Sequence, residues 1–96
     1  MRERMANLSF TTIVKNEEKS LRRCLDSVKD LVSEMVIVDT GSTDKTIEIC
    51  RAYQAQVLSY PWNHDFAEAR NFGLDRVSGD WVFWLDADEE LAQENR

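Results

Sequence analysis

The sequence predicts an α/β domain: a parallel, Rossmann-like sheet with helices on both faces, in the order β-α-β-α-β-α-β. Three observations carry the prediction. Four short apolar runs, at residues 8–14, 35–38, 56–60 and 81–85, alternate with three stretches whose apolar residues recur at helical spacing. The second and fourth runs are apolar almost without a break, as in strands covered on both faces. The polar residues with chemical capacity fall just after those runs, not inside them.

In chain order, Leu8 to Val14 reads as the first strand, followed by Lys15-Asn16-Glu17-Glu18. Leu21, Cys24, Leu25, Val28, Leu31 and Val32 then form a helical stripe whose start Asn16 can cap. Met35-Val36-Ile37-Val38 is the second strand, closed by Asp39 and the turn Thr40-Gly41-Ser42-Thr43-Asp44. Thr46, Ile49, Cys50 and Tyr53 make the second helical stripe, and residues 56–60 the third strand. Asp65 and Glu68 form a capping box ahead of a third helix that carries Phe66, Ala69, Gly73 and Val77 on one side. Ser78-Gly79-Asp80 breaks the chain before Trp81-Val82-Phe83-Trp84-Leu85, the fourth strand. Such sheets close with right-handed crossovers and bind ligands beyond the carboxyl ends of the strands, where the strand order reverses. Asn16 and Glu17 follow the first strand, Asp39 the second, and Asp86 and Asp88 the fourth.

Composition narrows the function. The 96 residues are one domain's worth, 43% hydrophobic and 31% charged, which is ordinary for a globular chain. A net charge of −6 offers no basic stripe to release counterions from nucleic acid, so nucleic acid is not an expected partner. Residues 1–7 are charged with no apolar stretch behind them, a flexible leader and not a signal peptide. No run approaches 18 apolar residues, so no membrane span is expected. Cys24 and Cys50 sit on apolar helix faces and read as reduced, buried thiols, which makes a cytoplasmic location the default.

Three sets of residues could carry chemistry. Asp86 and Asp88, two positions apart beyond an apolar strand, can share one hard cation, Mn2+ or Mg2+, with phosphate oxygens. The plainer reading is that they are acids at the start of a helix. Asp39 can accept a hydrogen bond from a nucleobase imide or a ribose hydroxyl, or it can simply begin a well-capped turn. Arg70, on the helix face that carries Ala69 and Gly73, suits a diphosphate, although a surface salt bridge to Glu68 or Asp75 is the commoner fate of a helical arginine. His64 is the sole histidine and reads as a solvated loop residue, and the three tryptophans read as core or interface.

Together, Thr12-Ile13-Val14-Lys15-Asn16-Glu17-Glu18, Val36 through Asp44, Ala69-Arg70-Asn71, and Gly79 through Asp86-Ala87-Asp88-Glu89 resemble the family 2 inverting glycosyltransferases of GT-A fold. The likeness spans roughly residues 8 to 92, and its two ends look most like bacterial enzymes of the lipopolysaccharide-core type. The resemblance implies metal-dependent transfer of a sugar from a nucleotide diphosphate donor, a UDP-sugar first, to a saccharide or lipid-linked acceptor. It places the donor on Asn16, Glu17, Asp39, Arg70 and Asp86, with Glu17 and Asp39 at the uracil and ribose and Arg70 at the pyrophosphate. It places the metal on Asp88 and Asp86. Lys15 stands where many relatives carry an aromatic residue.

The family's acceptor-binding part and catalytic base follow the metal motif, so the base is expected beyond Arg96. Residues 8–96 are then the nucleotide-sugar-binding half, competent for donor binding and for little transfer. Its apolar fourth strand is expected to associate with a second copy, and the whole enzyme to lie in the cytoplasm, including peripherally at the inner face of the membrane. Two alternatives stay open. One is a non-catalytic nucleotide-binding or assembly module. The other, weaker, is a phosphatase of the haloacid-dehalogenase type, which also uses Asp-x-Asp after a strand; there a Thr or Val usually follows two places on, where this chain has Glu90.

Overall fold

The computed structural model describes residues 8–79 and 81–87; the leader at residues 1–7 lies outside them. Seven elements alternate as expected. Strand β1 (Leu8–Val14) leads to helix α1 (Leu21–Val28), then strand β2 (Glu34–Asp39) and helix α2 (Thr46–Ala52). Strand β3 (Gln56–Ser59), helix α3 (Phe66–Leu74) and strand β4 (Trp81–Trp84) follow. All pairings are parallel, in the order β3-β2-β1-β4. The chain therefore steps outward from β1 through β2 to β3, then returns across the sheet to place β4 on the other side of β1.

That reversal assigns the helices to opposite faces. Leu21, Cys24, Leu25 and Val28 recur one helical turn apart and bury the inner side of α1 against Phe10 and Val14 of β1, with Ile49 and Cys50 of α2 in the same cluster. The opposite face of β2, Val36 and Val38, packs with Leu58, Phe72 and Val77 beneath α3. Burying each such side chain contributes roughly 1.5–3 kcal/mol, so these two layers hold the sheet. Gly73 lets α3 come down on the sheet: a Cβ there would lie 2.8 Å from Val38 Cγ2 and 2.9 Å from Thr11 Oγ1.

Several expectations are corrected. Asn16 does not cap α1; its N-cap is Ser20, which makes no side-chain cap bond. The helix ends at Val28, so Leu31 is exposed while Val32 still reaches the core. The period of the apolar residues outlasted the helical hydrogen bonding. The capping box at α3 is half formed: Asp65 accepts from Glu68 N at 2.9 Å, but Asp65 N donates to Asn63 Oδ1. Glu68 instead takes the hydroxyl of Tyr60, which raises the Tyr60 pKa and lowers that of Glu68. Phe66, expected on the buried side, is half exposed. Strand β2 is covered on both faces, but β4 is not: Trp81 and Val82 are exposed, because α3 crosses over β1 and β2 and leaves β4 at the sheet's edge. Both cysteines are buried thiols outside any disulfide.

Candidate functional site

The switch point of the sheet lies between β1 and β4: the connection that leaves β1 through α1 and the one that enters β4 through α3 pack on opposite faces. The β1–β2 ladder runs up to Val14 opposite Asp39, whereas β4 leaves β1 at Trp84, opposite Thr11. Beyond Trp84 the chain leans onto α1 instead. Ser20 Oγ donates to the Ala87 carbonyl at 3.4 Å, Cys24 Sγ approaches the Asp86 carbonyl at 3.7 Å, and Ala87 is buried in the α1 cluster. These contacts fix the backbone that carries Asp86 while its side chain stays exposed.

The loops after β1 and β2 are joined by a dense polar seam. Asn16, in the left-handed region with φ 54°, accepts from Thr43 N at 2.7 Å and Asp44 N at 3.3 Å, and its own N donates to Ser42 Oγ at 2.9 Å. Glu17 N donates to Thr46 Oγ1 at 2.8 Å, Glu18 N to Asp44 Oδ2, and Lys45 N back to Glu18 Oε1. Slight burial pushes the Asp44 carboxyl up, but the bonds from Thr46 and Glu18 outweigh it and hold the group below its ordinary value.

Asp39 ends β2 and is almost fully buried. Its carboxylate accepts from Gly41 N at 3.2 Å and from Ser42 N at 3.2 and 3.3 Å, and Gly41 (φ 117°) supplies the turn that aims those amides back at it. Two amides do not fill the four acceptor positions of a carboxylate, so Asp39 keeps capacity for another donor. Burial, and then the neighbouring Asp39, push the Cys50 thiol up to about 12, which makes it an inert packing group.

Arg70 and Asp86 meet through a residue read from the sequence as mere core or interface. The Arg70 guanidinium lies 5.0 Å from the centre of the Trp84 ring, and Trp84 Nε1 donates to Asp86 Oδ1 at 3.4 Å. Phe66 meets the same indole edge-on at 6.1 Å. The signal for Trp84 was present in the sequence as an aromatic two residues before the acidic pair; its partner Arg70 is fourteen residues earlier and invisible to local pattern. Asn16, Asp39, Asp86 and Arg70 thus all lie at the carboxyl end of the sheet, with Glu17 half-buried between them and α1. Asp88 lies outside the described residues. Mn2+ or Mg2+ ordinarily keeps water and takes one or two carboxylates together with substrate phosphates, and the exposed Asp86 carboxylate is a donor of that hard, oxygen type.

Two surface grooves among the described residues lie on the α1–α2 layer, away from Asp39, Arg70 and Asp86. Chemistry and position mark the candidate site. A parallel α/β sheet in this strand order, with acids and an arginine beyond the carboxyl ends of its strands, has the architecture of the GT-A fold. The family model described as glycosyl transferase family 2 matches residues 9–95, and the chain belongs to that family. A TPR repeat-containing protein of Synechococcus elongatus is 47% identical over 90 residues, 94% of this chain and 22% of that protein. An uncharacterized glycosyltransferase of Rickettsia typhi is 39% identical over 94% of this chain and 30% of its own length. The prophage-derived glycosyltransferase SunS of Bacillus subtilis is 36% identical over 88% of this chain and 20% of its own. The chain therefore spans 20–30% of the length of these relatives.

Solved structures agree on the fold. TarS of S. aureus superposes with a TM-score of 0.80 at 26% identity, over 93% of this chain and 29% of that one. Glucosyl-3-phosphoglycerate synthase of Mycobacterium tuberculosis, crystallised with Mn2+, UDP and glucosyl-3-phosphoglycerate, gives 0.74 at 28% identity, over 88% of this chain and 36% of that one. The chain is thus the N-terminal part of a family 2 GT-A domain. No helix among the described residues is long and apolar enough to cross a membrane.

Proposed function

We propose that this chain forms the donor side of a metal-dependent glycosyltransferase, which moves a sugar from a nucleotide diphosphate, UDP first, to a hydroxyl of a saccharide or lipid-linked acceptor. The observation that carries the reading is that Asp39, Arg70 and Asp86, far apart in sequence, reach the same end of the sheet. Asp39 accepts from the base imide or a ribose hydroxyl, and Glu17 from the same nucleoside. Arg70, held over the Trp84 ring, presents its N–H groups to the diphosphate. Asp86 and Asp88 would hold the divalent ion, which would supply positive charge to the leaving diphosphate. The Mn2+ and UDP crystallised with glucosyl-3-phosphoglycerate synthase support this choice of ligands.

In the same reading, the two buried thiols, outside any disulfide, suit a cytoplasmic protein, at the inner face of the membrane if its acceptor is lipid-linked. A second copy covers exposed Trp81 and Val82, so sedimentation of the chain should show concentration-dependent association; a monomer at high concentration removes that part. Calorimetry with UDP, with and without Mn2+, on the chain and on Asp88→Asn tests the donor reading. Metal-dependent binding that the variant loses is the expected result. Binding indifferent to metal favours a bare nucleotide module, and steady phosphate release from a phosphomonoester favours a phosphatase.

A further inference from the structure

We infer that Asn16 is a positioning residue that acts through Asp39 and does not touch the donor. The inference rests on the donor-binding reading above and refines it. Asn16 is exposed at the mouth of the site, where a donor contact would be the simple assignment. Its hydrogen bonds run elsewhere. Asn16 Oδ1 accepts from Thr43 N and Asp44 N, and Asn16 N donates to Ser42 Oγ at 2.9 Å. Ser42 N in turn donates to both oxygens of Asp39. The Asn16 backbone amide thus reaches the Asp39 carboxylate through Ser42, while the Asn16 side chain pins the two residues that follow Ser42 and so holds the Ser42 amide in place.

The linkage has work to do because Gly41 precedes Ser42. At φ 117° this glycine occupies backbone space that other residues avoid, and it can also leave that conformation more easily than they could. Without a tether, rotation at Gly41 carries the Ser42 amide away from Asp39, and the carboxylate is free to turn. Asn16 supplies the tether, and its own backbone is held in the left-handed region to do so. Such a conformation costs on the order of 1 kcal/mol outside glycine, least for asparagine, and persists where surrounding bonds determine it. The amides of Thr43 and Asp44 are what determine it here.

The role needs only an acceptor on a short side chain. An asparagine that held phosphate or base oxygens would need its amide N–H groups instead, and this difference makes the two roles separable. Calorimetry with UDP and Mn2+ should compare the unaltered chain, Asn16→Ala and Asn16→Asp at about 0.3 M salt, where an added exposed charge is largely screened beyond a few ångströms. Alanine should weaken binding about tenfold, the equivalent of roughly 1.4 kcal/mol. Aspartate, which accepts the same amides and tolerates the same backbone, should stay within about twofold of the unaltered chain. Amide exchange at Thr43 and Asp44, followed by nuclear magnetic resonance, should quicken in Asn16→Ala and recover in Asn16→Asp. If Asn16→Ala does not fold, Ser42→Ala removes one link alone and should weaken binding about threefold.

Equal binding by the unaltered chain and Asn16→Ala overturns the inference and leaves the donor reading intact. Loss of binding in Asn16→Asp as deep as in Asn16→Ala, with protection of the two amides restored, also overturns it, because Asn16 then touches the donor. Failure of the unaltered chain to bind UDP under any metal condition overturns the donor reading itself, and this inference with it.

Discussion

The two edges of the sheet use the same chemistry to different ends. At the amino edge a single carboxylate, Glu34, takes Ser9 Oγ at 2.7 Å together with the backbone amide and hydroxyl of Ser78. Gly79 N closes the group by donating to Ser9 Oγ at 3.0 Å. Glu34 thereby ties the start of β2 to β1 and to the entrance of β4. At the carboxyl edge, Asn16, Glu18 and Asp44 sew two loops together in the same manner. Asp39 is only half engaged, and Arg70 and Asp86 face solvent. A carboxylate used as a fastener is surrounded by protein donors, whereas one available for a ligand is held in place with acceptor positions left over. That difference separates a fastened edge from a candidate site, and substitutions can sharpen or break it.

The largest effect is expected at Gly73, because α3 spans from one edge to the other. A side chain there must displace Val38 Cγ2 and Thr11 Oγ1, both on β-branched residues held within strands. Gly73→Val should cost about 3 kcal/mol, toward the upper end for overpacking, and lower the midpoint of thermal unfolding by well over 10 °C, since each kcal/mol moves a domain of this size by roughly 4–8 °C. If the edges are independent, UDP affinity measured well below the midpoint will survive. If α3 couples them, affinity falls too, because Arg70 rides on the displaced helix.

Arg70→Ala comes next and should act on one edge only. Hydrogen bonds to a charged group contribute about 1.5–3 kcal/mol, so calorimetry should show UDP binding weakened roughly ten- to hundredfold with an unchanged melting midpoint. A fall in stability without loss of affinity would turn Arg70 from a ligand into a fastener. Trp84→Leu is a smaller disturbance: it removes the surface under the guanidinium at 5.0 Å and the Nε1 partner of Asp86. An exposed cation–π contact is worth about 0.5–1 kcal/mol, so affinity should fall about two- to fivefold. Trp84→Phe, which keeps a ring and loses only the N–H, should fall less.

Much of this arrangement was legible in the sequence, for local reasons. The alternation of runs and stripes gave the fold, Asp65 gave the start of α3, and the rule that chemistry follows strand ends located Asp39 and Asp86. What could not be read was set by partners far along the chain. Asn16 looks like a helix cap because capping is the local use of asparagine; its bonds instead reach residues 26 to 28 positions away. Leu31 keeps the helical period after the helix has stopped, since periodicity reports which side a residue faces and not where hydrogen bonding ends. Continuous apolar residues in β4 suggested cover on both faces, but cover depends on where α3 crosses. Trp84 was read as packing because no local pattern shows which cation will lie on its ring.

The smallest effect, and the one that tests the fastened edge alone, is the pH response of Glu34. Partial burial pushes its carboxyl up from the ordinary value of 4.5, but the bonds from Ser78, Ser9 and Gly79 outweigh that and the net shift is downward. The unfolded chain therefore binds a proton at higher pH than the folded one does. Stability from this group is fully present above about 4.5 and is lost as pH falls from there through the lower folded value. Glu34→Gln has no charge to protonate, so it should be less stable than the unaltered chain near pH 7. The gap in urea midpoint between the two should then narrow as pH drops below 4.5, while UDP affinity at pH 7 stays the same. A gap that is constant with pH would mean that the serines respond to the shape of the side chain and not to its charge. A gap accompanied by weaker UDP binding would mean that the two edges, separated by the length of the strands, are not independent after all.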